Sequence, residues 1–336
     1  MQDLSFAVSY VSELLNKAIS KKASDIHFDP FAQSIRISLR IDGLLHEHTR
    51  LAKETYASIV ARLKTLAKLD IAQQRLPQDG RFEWQEQHFR LHSCPALFGE
   101  KMVARLLPTL KQQLTLDRLG LLPEQLTSLQ AALQKGAGLI MVTGPTGSGK
   151  TMTLYACLQQ LAQQALQIIT LEDPVEMALD NVSQIPVRKA YQLSYAELLK
   201  AILRQDPDII MIGEIRDPET AQIAIRAALT GHLVLSTLHT ANSKSCVQRL
   251  LQMGVTKYHL DDCLHLVVAQ RLLRCLCTDC QGRGCNSCKQ GYKSRTGVFE
   301  CLELQAGNET LFSLHDAAMQ KCAQGITSEE EARRVL

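Results

Sequence analysis

Residues 144–151 read Gly144-Pro145-Thr146-Gly147-Ser148-Gly149-Lys150-Thr151, which satisfies the phosphate-binding pattern G-x-x-x-x-G-K-[ST]. Before it, Leu139-Ile140-Met141-Val142 is an apolar run of buried-strand type. After it, Met152 to Gln164 contains good helix formers and neither Gly nor Pro. Strand, glycine loop, helix is the order that points backbone N–H groups at a phosphate chain from the positive end of a helix dipole. In that setting Lys150 reaches the β- and γ-phosphates of ATP, and the Thr151 hydroxyl ligates Mg²⁺.

Hydrolysis needs carboxylates as well, to organise the metal and orient an attacking water. Two apolar strands end in them. Ile209-Ile210-Met211-Ile212 leads to Gly213-Glu214, and Ile168-Ile169-Thr170-Leu171 leads to Glu172-Asp173. Ligands of open α/β sheets sit at the carboxyl ends of strands. Glu214 is therefore expected as catalytic base or water-orienting group, with Glu172 and Asp173 organising Mg²⁺ or water. A third strand of this kind, Gly231 to Thr240, carries His232 and His239 towards its two ends. A histidine beside a buried strand requires polar partners, and both are candidate sensors of the γ-phosphate.

Two C-x-x-C pairs, Cys277/Cys280 and Cys285/Cys288, offer four thiolates to one tetrahedral Zn²⁺. Only Gln281-Gly282-Arg283-Gly284 separates them, and two glycines in four residues permit so tight a return. Cys275 is an extra thiol that could exchange into the set. Cys94, Cys157, Cys246, Cys263, Cys301 and Cys322 are scattered and expected as buried free thiols.

The elements that hold these groups fall into two parts. Residues 1–107 lack any nucleotide motif and read as a small α+β domain. Phe6 to Ser20 has helical periodicity; Ile35, Ile37, Leu39 and Ile41 alternate with polar residues; Asp42-Gly43 is a hairpin turn. A second helix is expected from Lys53 to Lys68, with further strands over Phe82 to Leu91 and Lys101 to Leu107. Residues 108–121 read as a linker. Residues 122–336 read as the second domain: 122 to about 274 alternate strands and helices in the manner of a parallel sheet covered on both faces, and the end, from Cys275, is loop-rich, with the cysteine loop at 275–288, and then helical.

The 336 residues carry 37 basic and 34 acidic side chains, a net charge of +3, and are 5% aromatic. That balance gives no basic stripe or stacking platform and argues against a nucleic-acid partner. No apolar run approaches the roughly 18–20 residues that span a bilayer. The first residues lack the pattern of a secretory leader. A cytoplasmic protein, peripheral at the inner face of the inner membrane at most, is the reading.

At these residues the chain resembles the secretion ATPases of type II secretion and type IV pilus assembly. The resemblance is carried by Ala23-Ser24-Asp25-Ile26-His27, Arg75-Leu76-Pro77-Gln78-Asp79-Gly80-Arg81, the phosphate loop, Glu172-Asp173-Pro174-Val175-Glu176, Gly213-Glu214-Ile215-Arg216-Asp217, and Thr230-Gly231-His232 through His239-Thr240. It implies a PAS-like first domain that swings against a RecA-like ATPase domain, with ATP bound between them in a homohexamer. It further implies that Arg90, Arg105 and Arg204 complete the site, and that the ring drives an inner-membrane platform protein of a pilus or secretion machine. A docking extension seen in many members is expected to be missing here, and Lys200 stands where the family often has a further arginine. The paired cysteines and Gln270-Arg271-Leu272-Leu273-Arg274 resemble the assembly branch. The alternatives are a retraction motor of the same family, a nucleic-acid translocase, and a scaffold that binds ATP without turnover.

Overall fold

The computed structural model describes residues 2–107, 114–187, 193–304 and 309–336. They form two compact units, divided between Lys111 and Gln112.

The first unit runs α1 (Gln2–Ser20), β1 (Asp25–Pro30), β2 (Ser34–Ile41), β3 (Leu44–Ala52), α2 (Tyr56–Leu66), β4 (Gln78–Trp84), β5 (Gln87–Ala96) and β6 (Gly99–Leu106). Its six strands form one sheet in the order β3-β2-β1-β6-β5-β4. Alternation decides which face is buried. Ile35, Ile37, Leu39 and Ile41 of β2 join Ile26, Leu91 and Ala104 in a core closed by Val11, Leu15, Ile59 and Leu63 of the two helices. The opposite face is polar. There Arg40, Asp25, Arg105, Arg90 and Arg81 occupy one row across β2, β1, β6, β5 and β4.

Two expectations for this unit change. The strand expected over Phe82 to Leu91 is a hairpin, because the chain reverses at Gln85 and Glu86, both at positive φ. The linker expected at 108–121 is not one where it is described. Leu116 is 3% exposed within the second unit's core, with Leu114, Leu119 and Leu121 packed against the same cluster. Residues 108–113, including Pro108, lie outside the described residues.

The second unit runs α3 (Pro123–Leu133), β7 (Gly138–Thr143), α4 (Lys150–Leu161), β8 (Ile168–Glu172), β9 (Ser183–Pro186), α5 (Tyr195–Ile202), β10 (Ile209–Ile212), α6 (Pro218–Leu229), β11 (Leu233–Leu238), α7 (Ser243–Gln252), α8 (Lys257–Cys263), β12 (Leu264–Leu276), β13 (Tyr292–Glu303), β14 (Glu309–Leu311), α9 (Leu314–Ala323) and α10 (Glu329–Val335). The sheet order is β14-β13-β12-β7-β11-β10-β8-β9. From β12 to β9 neighbouring strands are parallel, and β13 and β14 add antiparallel pairings. Every residue of β7 is buried, as expected for a parallel strand covered on both faces. Leu139 and Met141 pack toward α5, α6, α7 and α8; Ile140 and Val142 pack toward α3 and α4. Parallel direction brings the carboxyl ends of β7, β8, β10 and β11 to one edge, which fixes where the functional groups meet.

Candidate functional site

At the end of β7 the chain turns into α4 through three glycines at positive φ, Gly144, Gly147 and Gly149. Gly149 (φ 90°) precedes the first residue of α4, a conformation that L side chains rarely adopt. A Cβ at Gly144 would lie 2.5 Å from the Gln270 carbonyl oxygen, so the loop also lies tight against β12. The Lys150 side chain folds back over the loop and donates to the carbonyls of Gly144 (2.8 Å) and Pro145 (3.0 Å). Burial pushes its pKa down to about 8, opposed by the nearby Glu214 carboxylate and assisted by the Arg271 charge. Thr151 follows at the start of α4, half-buried.

Glu214 reaches this loop from β10. A short segment joins β10 to α6, where Asp217 accepts from the Thr220 amide (2.9 Å) as a helix cap and Pro218 opens the helix. The Glu214 carboxylate pairs with Arg216 and lies 3.4 Å from Nε2 of His239. The same imidazole presents Nδ1 to Lys150 Nζ at 3.4 Å. Lys150, His239 and Glu214 therefore form one cluster at the carboxyl edge of the sheet. A cation, a carboxylate and an imidazole brought together beside a glycine loop are groups that nucleotide hydrolysis can use.

Other sequence candidates are placed differently. His232 lies at the opposite end of β11, where its Nδ1 is 2.9 Å from the Ala227 carbonyl. A strand's two ends point to opposite edges of a parallel sheet, so only His239 meets the phosphate loop. Arg204 is exposed between α5 and the start of β10, again at the edge away from that loop. Glu172, expected to organise Mg²⁺ or water, is 2% exposed. It accepts from Tyr155 Oη, from Thr170 Oγ1 (2.7 Å) and from Gln184 Nε2 (3.0 Å). Three donors engage its carboxylate, and burial with that partner holds the Tyr155 phenol above its usual range, as a donor. Asp173 beside it is half-buried.

Tyr155, Gln184 and Gln270 were not legible as site residues. Gln270 gave a signal, as the one polar side chain ending the apolar run Leu266-Val267-Val268-Ala269.

In the first unit, Arg90 and Arg105 are directly paired across β5 and β6. Arg90 binds Asp79 through Nε (3.1 Å) and Nη2, and Arg105 Nε donates to Asp25 (2.8 Å). Asp25 is 4% exposed and also lies 3.6 Å from Arg40.

The four cysteines converge at the far end of the β12–β13 hairpin. Their sulfurs all lie within 4.8 Å of one another. Cys277 and Cys285 are 3.9 Å apart, Cys280 and Cys288 3.7 Å, and Cys285 and Cys288 3.6 Å. A tetrahedron with Zn–S bonds of ~2.3 Å has edges of about 3.8 Å, so the set fits one metal ion. Amides of Gly284 and Cys285 donate to the Cys280 and Cys288 sulfurs at 3.2 Å, contacts that would orient and stabilise thiolates. Cys275 is not part of the cluster. Of the scattered cysteines, Cys157, Cys246, Cys263 and Cys301 are buried, whereas Cys94 is exposed because it lies on the outward side of β5, and Cys322 is only partly buried, packed at the margin of the cluster that includes Leu314 and Ala318.

With this geometry in place, comparison with known proteins identifies the class. The family described as type II/IV secretion system protein matches residues 1–334. The chain is 44% identical to the protein transport protein HofB homolog of Haemophilus influenzae, over 98% of this chain and 73% of that relative. It is 39% identical to the type IV pilus assembly ATPase PilB of Acinetobacter baylyi, over 100% of this chain and 67% of that relative. The X-ray structure of the Legionella pneumophila ATPase DotB has a TM-score of 0.77 at 21% identity, covering 97% of this chain and 95% of that one, a likeness of fold. The chain belongs to the type II/IV secretion system protein family, and it is an ATPase of that family.

Proposed function

We propose that this chain is a motor subunit that binds Mg²⁺-ATP at residues 144–151 and uses hydrolysis to assemble a type IV pilus or to drive type II secretion. The observation that carries the reading is the Lys150–His239–Glu214 cluster at the mouth of the phosphate loop. Lys150 would exchange its carbonyl partners for phosphate oxygens. Thr151 would hold Mg²⁺, with Asp173 near enough in sequence to Glu172 to share the same strand end. Glu214 would orient the attacking water, with His239 reporting the γ-phosphate through its two ring nitrogens.

The working unit in this reading is a homohexamer with the RecA-like unit as engine, and Arg90 and Arg105 of one chain act at the site of a neighbour. Cys277, Cys280, Cys285 and Cys288 hold a structural Zn²⁺, whose contribution is to pin the loop they share. The ring acts from the cytoplasm on a platform protein at the inner membrane. Among the described residues no helix is long and apolar enough to cross a membrane.

The test is Glu214→Gln, which removes the carboxylate with little change in volume. The variant should retain nucleotide binding and lose turnover by at least a hundredfold, whereas Lys150→Ala should weaken binding itself. Normal turnover in Glu214→Gln removes the assignment. Deleting the gene separates assembly from retraction: loss of surface filaments or of secretion fits assembly, and excess filaments indicate a retraction motor.

A further inference from the structure

The carboxyl half of β12 and its partner β13 touch both loops of the nucleotide site. Gln270 is 2% exposed, and its Oε1 accepts from Thr153 Oγ1 (2.8 Å) in the first turn of α4. A Cβ on Gly149 would lie 2.8 Å from the Gln270 Nε2, so the amide is packed against the last glycine of the phosphate loop. Arg271 donates from Nη2 to the carbonyl of Ala241 (2.6 Å), two residues past His239. On β13, Glu300 accepts from the Ser243 amide (2.9 Å) and hydroxyl (2.5 Å). Two adjacent strands thus hold the phosphate loop and the segment that follows His239.

The same hairpin leads to the cysteines. From Gln270 to Cys277 is seven residues, about 23 Å at ~3.3 Å per residue. Its far half is braced. Arg274 donates from its backbone N (3.0 Å), Nε (3.0 Å) and Nη2 (2.7 Å) to the buried Glu331, and Leu276 N donates to the Ile326 carbonyl (2.8 Å). Pairing with β13 is continuous from Leu266 to Arg274, with one irregularity before Leu276. A braced two-stranded arm moves as one piece.

The geometry points to Gln270 as a positioning residue for the phosphate loop, and to the β12–β13 hairpin as the element that carries nucleotide occupancy to the cysteine loop. When phosphate takes the amides of that loop, Gly149 and Thr153 shift against an amide that has no slack. The strand then passes the shift to the loop that ends it. This rests on the ATPase reading and extends it: the cysteine loop becomes a nucleotide-dependent contact surface.

The experiment is hydrogen exchange over residues 277–291 in the full chain, with and without saturating ADP or a non-hydrolysable ATP analogue. Wild type should exchange several-fold more slowly there when nucleotide is bound. Gln270→Met keeps volume and loses the amide; it should bind nucleotide about tenfold more weakly, as for one buried hydrogen bond, and lose the response at saturation. Thr153→Ser keeps the hydroxyl and should retain the response, and Thr153→Val should lose it, which tests the pair even if Gln270→Met fails to fold. Nucleotide binding without any change in the loop overturns the inference and leaves the ATPase reading standing. A full response in both Gln270→Met and Thr153→Val overturns it too. Failure of wild type to bind nucleotide removes both.

Discussion

Arg90 and Arg105 face each other directly across β5 and β6, and each is gripped by a different carboxylate, Asp79 for one and Asp25 for the other. Two guanidinium groups side by side repel, and the two acids offset that repulsion while fixing where each fork points. Arginine supplied in trans contributes about 10³- to 10⁵-fold to nucleotide hydrolysis where it acts. Arg90→Ala and Arg105→Ala should each lower turnover steeply while leaving nucleotide affinity within a few-fold. Mixed with Lys150→Ala chains, Arg90→Ala chains should regain part of the lost turnover. Two single variants that both hydrolyse ATP at the wild-type rate would exclude a role for the pair.

Lys150 gives a pH dependence with a defined sign. Its pKa in the folded chain is about 8, against 10.5 for the free side chain, because of burial. Between these values the unfolded chain binds the extra proton, so stability rises with pH across that window. A bound phosphate favours the charged ammonium and should raise the pKa again. ATP binding at pH 8 to 9 should therefore take up a fraction of a proton, and calorimetry in two buffers of different ionisation enthalpy measures it. Identical heats in both buffers would contradict the placement of Lys150.

Zinc should co-purify at about one atom per chain. A structural Zn²⁺ site contributes on the order of 10 kcal/mol to local folding, so removing the metal should release the cysteine loop. Nucleotide binding should survive, because the sheet that carries residues 144–151 has its own core. Elemental analysis of protein prepared without chelator decides the first point, and its finding no zinc would refute the metal assignment.

Glu331 should make the second unit lose stability in acid. Burial alone would raise its pKa, but hydrogen bonds from Arg334 and Arg274 outweigh burial and bring it down to about 2, from 4.5. A depressed carboxylate contributes stability that is complete above its unfolded pKa and lost as pH falls through the folded one. The loss should appear between about pH 4.5 and 2. Arg274 stacks over Tyr292 at 4.0 Å and is 10% exposed in its side chain, so Glu331→Ala would strand a buried guanidinium, at a cost of about 3–5 kcal/mol. Urea unfolding at pH 7 and pH 3 compares the two proteins, and equal midpoints at pH 7 would rule out the clamp.

What the sequence revealed was what is local in the chain. The phosphate loop is eight consecutive residues, and Glu214 follows its strand by two. His232 precedes β11 and His239 follows it, so the order of the chain already separates the histidine at the carboxyl edge from the one beside the Ala227 carbonyl. The partners of Glu172 are invisible in the sequence because they come from elsewhere in the chain: Tyr155 from α4 and Gln184 from β9. The β4–β5 turn leaves no mark in the sequence, because Gln85 and Glu86 adopt positive φ without the glycine or asparagine that usually signals one. Leu114, Leu116, Leu119 and Leu121 have no regular period, so their packing could not be told from a linker.

The first unit's apolar core has a consequence for its autonomy. It is built from residues between Ala7 and Leu106, and the acids that hold Arg90 and Arg105 come from the same stretch. Residues 1–111 should fold as an isolated polypeptide and keep the arginine row in order. If Arg90 and Arg105 act on a neighbouring chain, the fragment should be a decoy: added in excess to intact chains, it would offer arginines with no phosphate loop attached and lower their turnover.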